Sequence, residues 1–177
     1  MSTVLIIIAV LLAIAIAAAL MVASAKPDTF RVQRSAVIAA APQTIFPLIA
    51  DFHRWAGWSP WEHRDPAMKR TFEGPASGVG AVYAWDGNRN VGAGRMEIVE
   101  AAPSRIVIKL DFIKPFEGHN IAEFALRPLT SATEIVWTMH GPAPLLSKIM
   151  QLVMNMDKMI GKDFEAGLAG MKRLAEV

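Results

Sequence analysis

From Met68 to Gly141 the chain alternates apolar and polar residues in short segments, and the gaps between them are too short to hold a helix. The segments read "MKRTF", "GAVYAW", "GRMEIVEA", "RIVIKLDF", "HNIAEFALRPL" and "TEIVWTMHG", with "APS", "KPFEG" and "TSA" among the separators. Parallel neighbours need a crossover of a dozen or more residues, so these strands are restricted to an antiparallel meander. The Asp-Gly of "DGNRNVG" marks a tight hairpin. Before the meander come a strand, "FRVQRSAVI", and a short helical segment in "AAPQTIFPLIADF" limited by Pro47. After Pro144 the period changes. Leu146, Ile149, Val153, Met156, Ile160, Phe164, Leu168, Met171 and Leu174 step by three or four, which predicts one long amphipathic helix. The expected class is α+β: a curved antiparallel sheet wrapped around a long C-terminal helix, an arrangement that commonly leaves a cavity between the two.

The N-terminus is of another kind. Val4 to Ala23 is a run of twenty residues drawn only from Ala, Val, Ile, Leu and Met, enough for a helix about 30 Å long that matches a bilayer core. All the charged residues, 18 basic and 16 acidic, lie outside it. Residues 1–25 are expected to form a transmembrane anchor, 26–29 a linker, and 30–177 one folded domain. A signal peptide is the alternative, because Ala23-Ser24-Ala25 has the small-x-small form of a cleavage site; the protein would then be periplasmic or secreted. The start "MST" has no basic n-region, and the apolar run exceeds the usual ~7–15 residues of a signal core. Lys26, Arg31 and Arg34 follow the span, which places the domain on the cytoplasmic side of a single-pass protein.

Several chemistries are disfavoured by composition and spacing. Without cysteine there is no disulfide, thiolate nucleophile or Cys-based zinc site. A formal charge of +2 and the lack of a basic, aromatic-interleaved stripe argue against nucleic acid. His53, His63, His119 and His140 form no H-E-x-x-H or i, i+4 pair, so no metal site is expected. Gly78-Val-Gly80 and Gly92-Ala-Gly94 lack the third glycine and following helix of a dinucleotide fingerprint, and no cofactor is expected.

Strand parity then sorts the side chains. Ile106, Ile108, Leu110 and Phe112 face inward, as do Ala122, Phe124 and Leu126. Met96 and Ile98 join them, with Ile135, Trp137 and Met139, leaving Glu134, Thr138 and His140 outside. In "GAVYAW" the inward pair is taken as Tyr83 and Trp85, although Val82 and Ala84 also fit the alternation. The residues expected to border a ligand are Tyr83, Trp85, Met96, Ile98, Phe112, Phe124, Trp137 and Met139. Met150, Val153 and Met154 of the C-terminal helix are added, as flexible thioethers and their neighbours suit ligands of variable shape. "FHRWAGWSPWEHRDP" contributes Trp58 and Trp61. Its three tryptophans, Trp55, Trp58 and Trp61, recur every three residues and would share one side of a helical turn over the open end of the core. The charged residues beside them are expected to form a solvated rim. Plain core packing accounts for most of this inward set. For acid-base chemistry the weak candidates are Tyr83, with Glu62, His63 or Asp65 reaching in from the tryptophan stretch.

Four stretches carry a resemblance: "RSAVIAAAPQTIFPLIADFHRWAGWSPW", "GVGAVYAWDGN", "VGAGRMEIVEAAPSRIVIKLDF" and "MDKMIGKDFEAGLAGMKRL". Together with the order of elements they are similar to the START-like or SRPBCC superfamily, most of all to its polyketide cyclase/dehydrase and lipid-transport branch. The resemblance covers Phe30 to Val177 and implies a helix-grip fold for residues 30–177. It implies a hydrophobic small molecule or lipid as ligand and carries over no catalytic motif residue by residue. The expected function is a membrane-anchored binding domain for such a ligand. The alternatives are a cyclase- or dehydratase-like enzyme using the same pocket, and a protein-interaction module with a closed core and no ligand.

Overall fold

The computed structural model describes residues 3–177; Met1 and Ser2, included in the expected anchor, lie outside the described residues. In chain order the elements are α1 (Thr3–Ser24), β1 (Thr29–Ile38), α2 (Pro42–Ala50) and two 3-10 turns (Phe52–Gly57 and Pro60–His63). Six strands follow: β2 (Lys69–Glu73), β3 (Val82–Asp86), β4 (Ala93–Ala102), β5 (Arg105–Lys114), β6 (Gly118–Pro128) and β7 (Thr133–Pro142). Two helices, α3 (Leu145–Val153) and α4 (Met156–Ala175), close the chain.

All seven strands form one open antiparallel sheet in the order β1-β7-β6-β5-β4-β3-β2. The short separators produce the meander from β2 to β7, and β1 returns to pair with β7 from Thr29↔Pro142 to Ile38↔Thr133. Register shifts in β4 at Ala93/Gly94 and Ile98/Glu100 are bulges, which bend a strand and sharpen its twist. Parity holds: Ile106, Ile108, Phe124, Leu126, Ile135 and Trp137 are all 3% exposed or less. Thr138 departs from the expected exposure. It is on the outer face but 4% exposed, because Arg31 donates to its hydroxyl at 3.4 Å and that hydroxyl donates to Gln33 at 3.2 Å.

The C-terminal helix is not continuous. Met154 is extended (φ −125°, ψ 129°). Asn155 then caps α4, its side-chain oxygen accepting from the Lys158 N–H at 2.8 Å. The helical period crosses this break unchanged in sequence, but the two halves have different partners. α3 packs against α1, whereas α4 packs against β1, α2 and the 3-10 turns and buries Phe164, Leu168 and Met171.

Glycines let α4 approach its neighbours. A Cβ on Gly170 would lie 2.7 Å from the Trp58 carbonyl oxygen, and one on Gly167 would lie 2.8 Å from the Trp137 ring. The helix propensity lost at these positions is offset by a close approach, to the Trp58 backbone at Gly170 and to the Trp137 ring at Gly167, that no larger residue permits. Arg34 of β1 ties down the front of the helix, donating to Asp157 at 3.0 Å and Glu165 at 2.8 Å.

Candidate functional site

The tryptophan stretch is a pair of 3-10 turns, and its three-residue spacing matches their three residues per turn. The first two indoles complete α2. The last carbonyls of a helix have no partner within it. Here Trp55 Nε1 donates to Ile49 O at 3.0 Å, Trp58 Nε1 donates to Leu48 O at 2.8 Å, and Gly78 N donates to Ala50 O at 2.9 Å. Trp55 and Trp58 are buried at 4% and 3% exposure. Trp61 is half-buried, and Arg64 sits over its ring at 5.9 Å.

Behind them lies an aromatic stack that spans from sheet to helix. Trp137 of β7 is sandwiched: Phe164 of α4 is parallel to it at 4.0 Å, and Phe124 of β6 stacks at 4.7 Å. Trp58 and Trp61 meet its edge at 5.6 and 5.9 Å. Among the described residues Trp137 Nε1 is the buried side-chain polar atom left with no hydrogen-bond partner. Such an atom costs about 1–3 kcal/mol until it is satisfied. Toward β3 the inward face continues through Met139, Met96 and Phe112 to Trp85, which packs edge-on to Phe112 and donates to Val91 O at 3.0 Å.

The charged residues near the tryptophans do not form the expected solvated rim. Glu62 is 8% and Asp65 7% exposed. Glu62 accepts from the Tyr83 hydroxyl at 2.6 Å and from Arg70 Nε at 2.7 Å, while a second Arg70 nitrogen donates to the Glu62 backbone carbonyl at 2.9 Å. Asp65 organises the loop instead. It accepts from Ala67 N at 3.0 Å and from Asn88 N at 2.7 Å, fastening the β3–β4 hairpin to the tryptophan stretch. His63 is exposed. Two of the four weak acid-base candidates, Tyr83 and Glu62, are thus brought together, and Asp65 and His63 are not part of that pair.

Arg70 is not among the sequence candidates, although a signal for it exists. In "KRTF" it shares parity with Phe72, and the register pairs Phe72 with Tyr83 and Arg70 with Trp85, on the inward face. An inward arginine requires a carboxylate. Burial and the hydrogen bond to Glu62 raise the Tyr83 pKa well above the usual phenol value, and the same carboxylate raises Arg70. Tyr83 is therefore a fixed hydrogen-bond donor.

This has a direct readout, because Tyr83 is the only tyrosine in the chain. A raised folded pKa contributes stability that is complete below the unfolded value of about 10 and is lost as pH rises through the folded value. Tyrosinate absorbance should therefore appear above pH ~10 and together with unfolding. In Glu62→Gln it should appear at lower pH. Ionisation at the ordinary value in the native protein would contradict the buried Tyr83–Glu62 bond.

Among the described residues, cavities lie elsewhere. One, of about 240 Å³, is at the β2 edge, lined by Phe52, His53, Phe72 and Gly74 among others; His53 stacks on Phe72 at 4.1 Å. Another, of about 500 Å³, is bounded by Lys109, Asp111, His119 and His140, together with Thr29 and Pro142. Asp111 hydrogen-bonds His119 at 2.7 Å and raises that imidazole above the ordinary histidine range.

The model of the family described as polyketide cyclase / dehydrase and lipid transport matches residues 29–176. The chain belongs to this family. No curated protein matches it. Solved structures share the fold. Protein CV1439 from Chromobacterium violaceum superposes with a TM-score of 0.59 at 17% identity, covering 86% of this chain and 99% of its own. A protein from Thermobifida fusca reaches 0.59 at 23% identity, with 81% and 92% covered. The di-domain ARO/CYC BexL of the BE-7585A biosynthetic pathway gives 0.60 at 16%, covering 89% of this chain and 53% of that one.

In this member of the family the matched range begins at β1, so α1 and nearly all of the linker lie outside it. The inward residues singled out by parity, Tyr83, Trp85, Met96, Ile98, Phe112, Phe124, Trp137 and Met139, belong to the core or pack against it. Met150, Val153 and Met154 instead lie on α3 and at its end. Met150 is half-buried, whereas Val153 is 85% and Met154 41% exposed.

Proposed function

We propose that this chain is a membrane-anchored binding domain that takes a hydrophobic small molecule or lipid between the sheet and α4. One observation carries the reading. The inward surface is aromatic and aliphatic, and it includes the buried, unpaired Trp137 indole N–H. A largely apolar ligand with one acceptor oxygen would itself leave water and satisfy that donor, entering as Phe164 and its α4 neighbours shift away from Trp137, which is 3% exposed in the closed core. Met96 and Met139 would adapt to its shape. Family membership is consistent with a hydrophobic ligand. α1, uncharged over its 22 residues, is long and apolar enough to cross a membrane. Lys26, Arg31 and Arg34 favour a cytoplasmic domain. Protease digestion of sealed and opened vesicles, read at a C-terminal tag, tests that side.

The binding test uses full-length protein in detergent or nanodiscs. An apolar fluorescent probe should bind and be displaced by a fatty acid or phospholipid, and organic extracts should contain a co-purified ligand. Probe binding without competition, together with empty extracts, would refute the reading. Trp137→Phe keeps the stack but removes the donor. It should weaken binding of an acceptor-bearing competitor about 3- to 10-fold, the equivalent of one hydrogen bond, and leave the stability of the empty protein equal or higher.

A cyclase- or dehydratase-like activity is a second reading, favoured by the 2.6 Å Tyr83–Glu62 bond and by likeness to BexL, an ARO/CYC protein. Tyr83 would be the proton donor. Full turnover of a polyketide substrate by Tyr83→Phe would remove this role.

A further inference from the structure

α1 is attached to the domain by more than its linker. Its surface is exposed from Thr3 to Ala18, but Ala19 is half-buried and Ala23 fully buried. The helix packed against α1 is α3. Residues four apart lie one above the other on a helix, and small side chains at that spacing let two helices approach closely. Both alanines belong to the apolar run Val4–Ala23. The part of α1 that the domain covers therefore falls within the last ~6 Å of the segment long enough to cross a bilayer, and α3 is the helix packed there.

The linker holds α3 in place. Ala143 N donates to Asp28 O at 2.7 Å, and Lys148 Nζ donates to the Asp28 carboxylate at 2.6 Å, with Lys148 only 6% exposed. Away from these contacts α3 leaves a row of aliphatic side chains uncovered: Leu145 at 47%, Leu146 at 52%, Leu152 at 37% and Val153 at 85% exposure. The bare surface of α1 thus continues past the end of the span onto the domain.

We infer that α3 is a second membrane contact, seated in the headgroup–acyl boundary of the bilayer that α1 crosses. This rests on the reading that α1 spans the membrane. Amphipathic interfacial helices sit about 5–10 Å into that boundary, and covering of α1 only around Ala19 and Ala23 sets α3 beside the last ~6 Å of the span. A rigid two-point attachment fixes the orientation of the domain. It also keeps the break between α3 and α4 beside the lipid, so a hydrophobic ligand could reach the domain without crossing water.

The absence of cysteine allows single labels to test this. Full-length protein with Val10→Cys, Leu146→Cys, Val153→Cys or Ser131→Cys is labelled with a polarity-sensitive fluorophore. It is then reconstituted into phosphatidylethanolamine–phosphatidylglycerol vesicles with and without acyl-chain nitroxide. Ser131 is the distal control. It is exposed, in the β6–β7 turn, next to the end of β1 opposite Thr29 and about 30 Å away. Labels at positions 10, 146 and 153 should be quenched several-fold more than the label at 131. Quenching at 10, with 146 and 153 behaving like 131, would overturn the inference and leave the anchor intact. No quenching at 10 would overturn the anchor and the inference together. Self-quenching at 153 that depends on protein density and not on nitroxide would assign the α3 face to a second copy of the chain, and would also overturn it.

Discussion

Phe164→Ala is expected to lower stability by about 3–5 kcal/mol, enough to reduce the melting temperature by roughly 6–20 °C for a chain of this size. Phe164 is 1% exposed and lies flat on Trp137, with an interplanar angle of 4°. Removing the ring deletes the α4 side chain that stacks on Trp137, and the hole cannot readily close. Trp137 is fixed on β7, which pairs with β1 on one side and β6 on the other. Gly167 already brings the helix backbone against the Trp137 ring, so α4 has little room to move inward. Circular-dichroism melts of the full chain in detergent would measure the change. A loss below about 1 kcal/mol would mean that α4 does not bury this stack, since buried Phe→Ala changes cost several times more. A competent ligand should raise the melting temperature of the wild type, because anything that binds the native state alone stabilises it.

Glu62→Gln is the second large effect, at about 2–3 kcal/mol. Its carboxylate is 7% exposed and holds two donors, the Arg70 guanidinium and the Tyr83 hydroxyl. Breaking a buried pair from one side leaves an uncompensated charge, which typically costs about 3–5 kcal/mol. Arg70 keeps 27% of its side chain exposed, so water recovers part of that. Tyr83→Phe should cost less, about 1–2 kcal/mol, because Glu62 keeps its arginine. Replacing all three with Met, Met and Phe should recover most of the Glu62→Gln loss, as apolar replacements of buried ion pairs often do. Denaturant titrations of the four proteins would decide. Equal stability of Glu62→Gln and wild type would show that the cluster is solvated.

These two sites are not equally legible in the sequence. Phe164 and Trp137 both stand out by spacing, because a period of two for β7 and of three to four for α4 is written locally. Their face-to-face stacking is not, since Trp137 and Phe164 are brought together by the way α4 crosses the sheet. Glu62 looks like part of a solvated rim because a run of Glu, His, Arg and Asp beside prolines has turn chemistry. Its burial depends on Arg70 and on Tyr83, eight and 21 residues further on. Trp58 is expected from spacing at the mouth of a pocket. The structure gives its indole to the end of α2, because helix-terminal carbonyls need donors and Trp58 supplies one. The helical period after Pro144 suggests one helix, yet the chain breaks at Met154. Periodicity marks which residues are apolar, and it does not say against what they pack.

The sequence by itself determined the antiparallel meander, the inward-facing set and the apolar N-terminal span, since each follows from spacing along the chain and the fixed geometry of strands and helices. The tertiary structure alone decided how that spacing is used: the buried Glu62–Arg70–Tyr83 cluster, the Arg34 clamp on Asp157 at a separation of 123 residues, and the docking of α3 on α1. Each of these joins groups distant in sequence, and their burial and pairing energies exist only once the sheet and helices have brought them together.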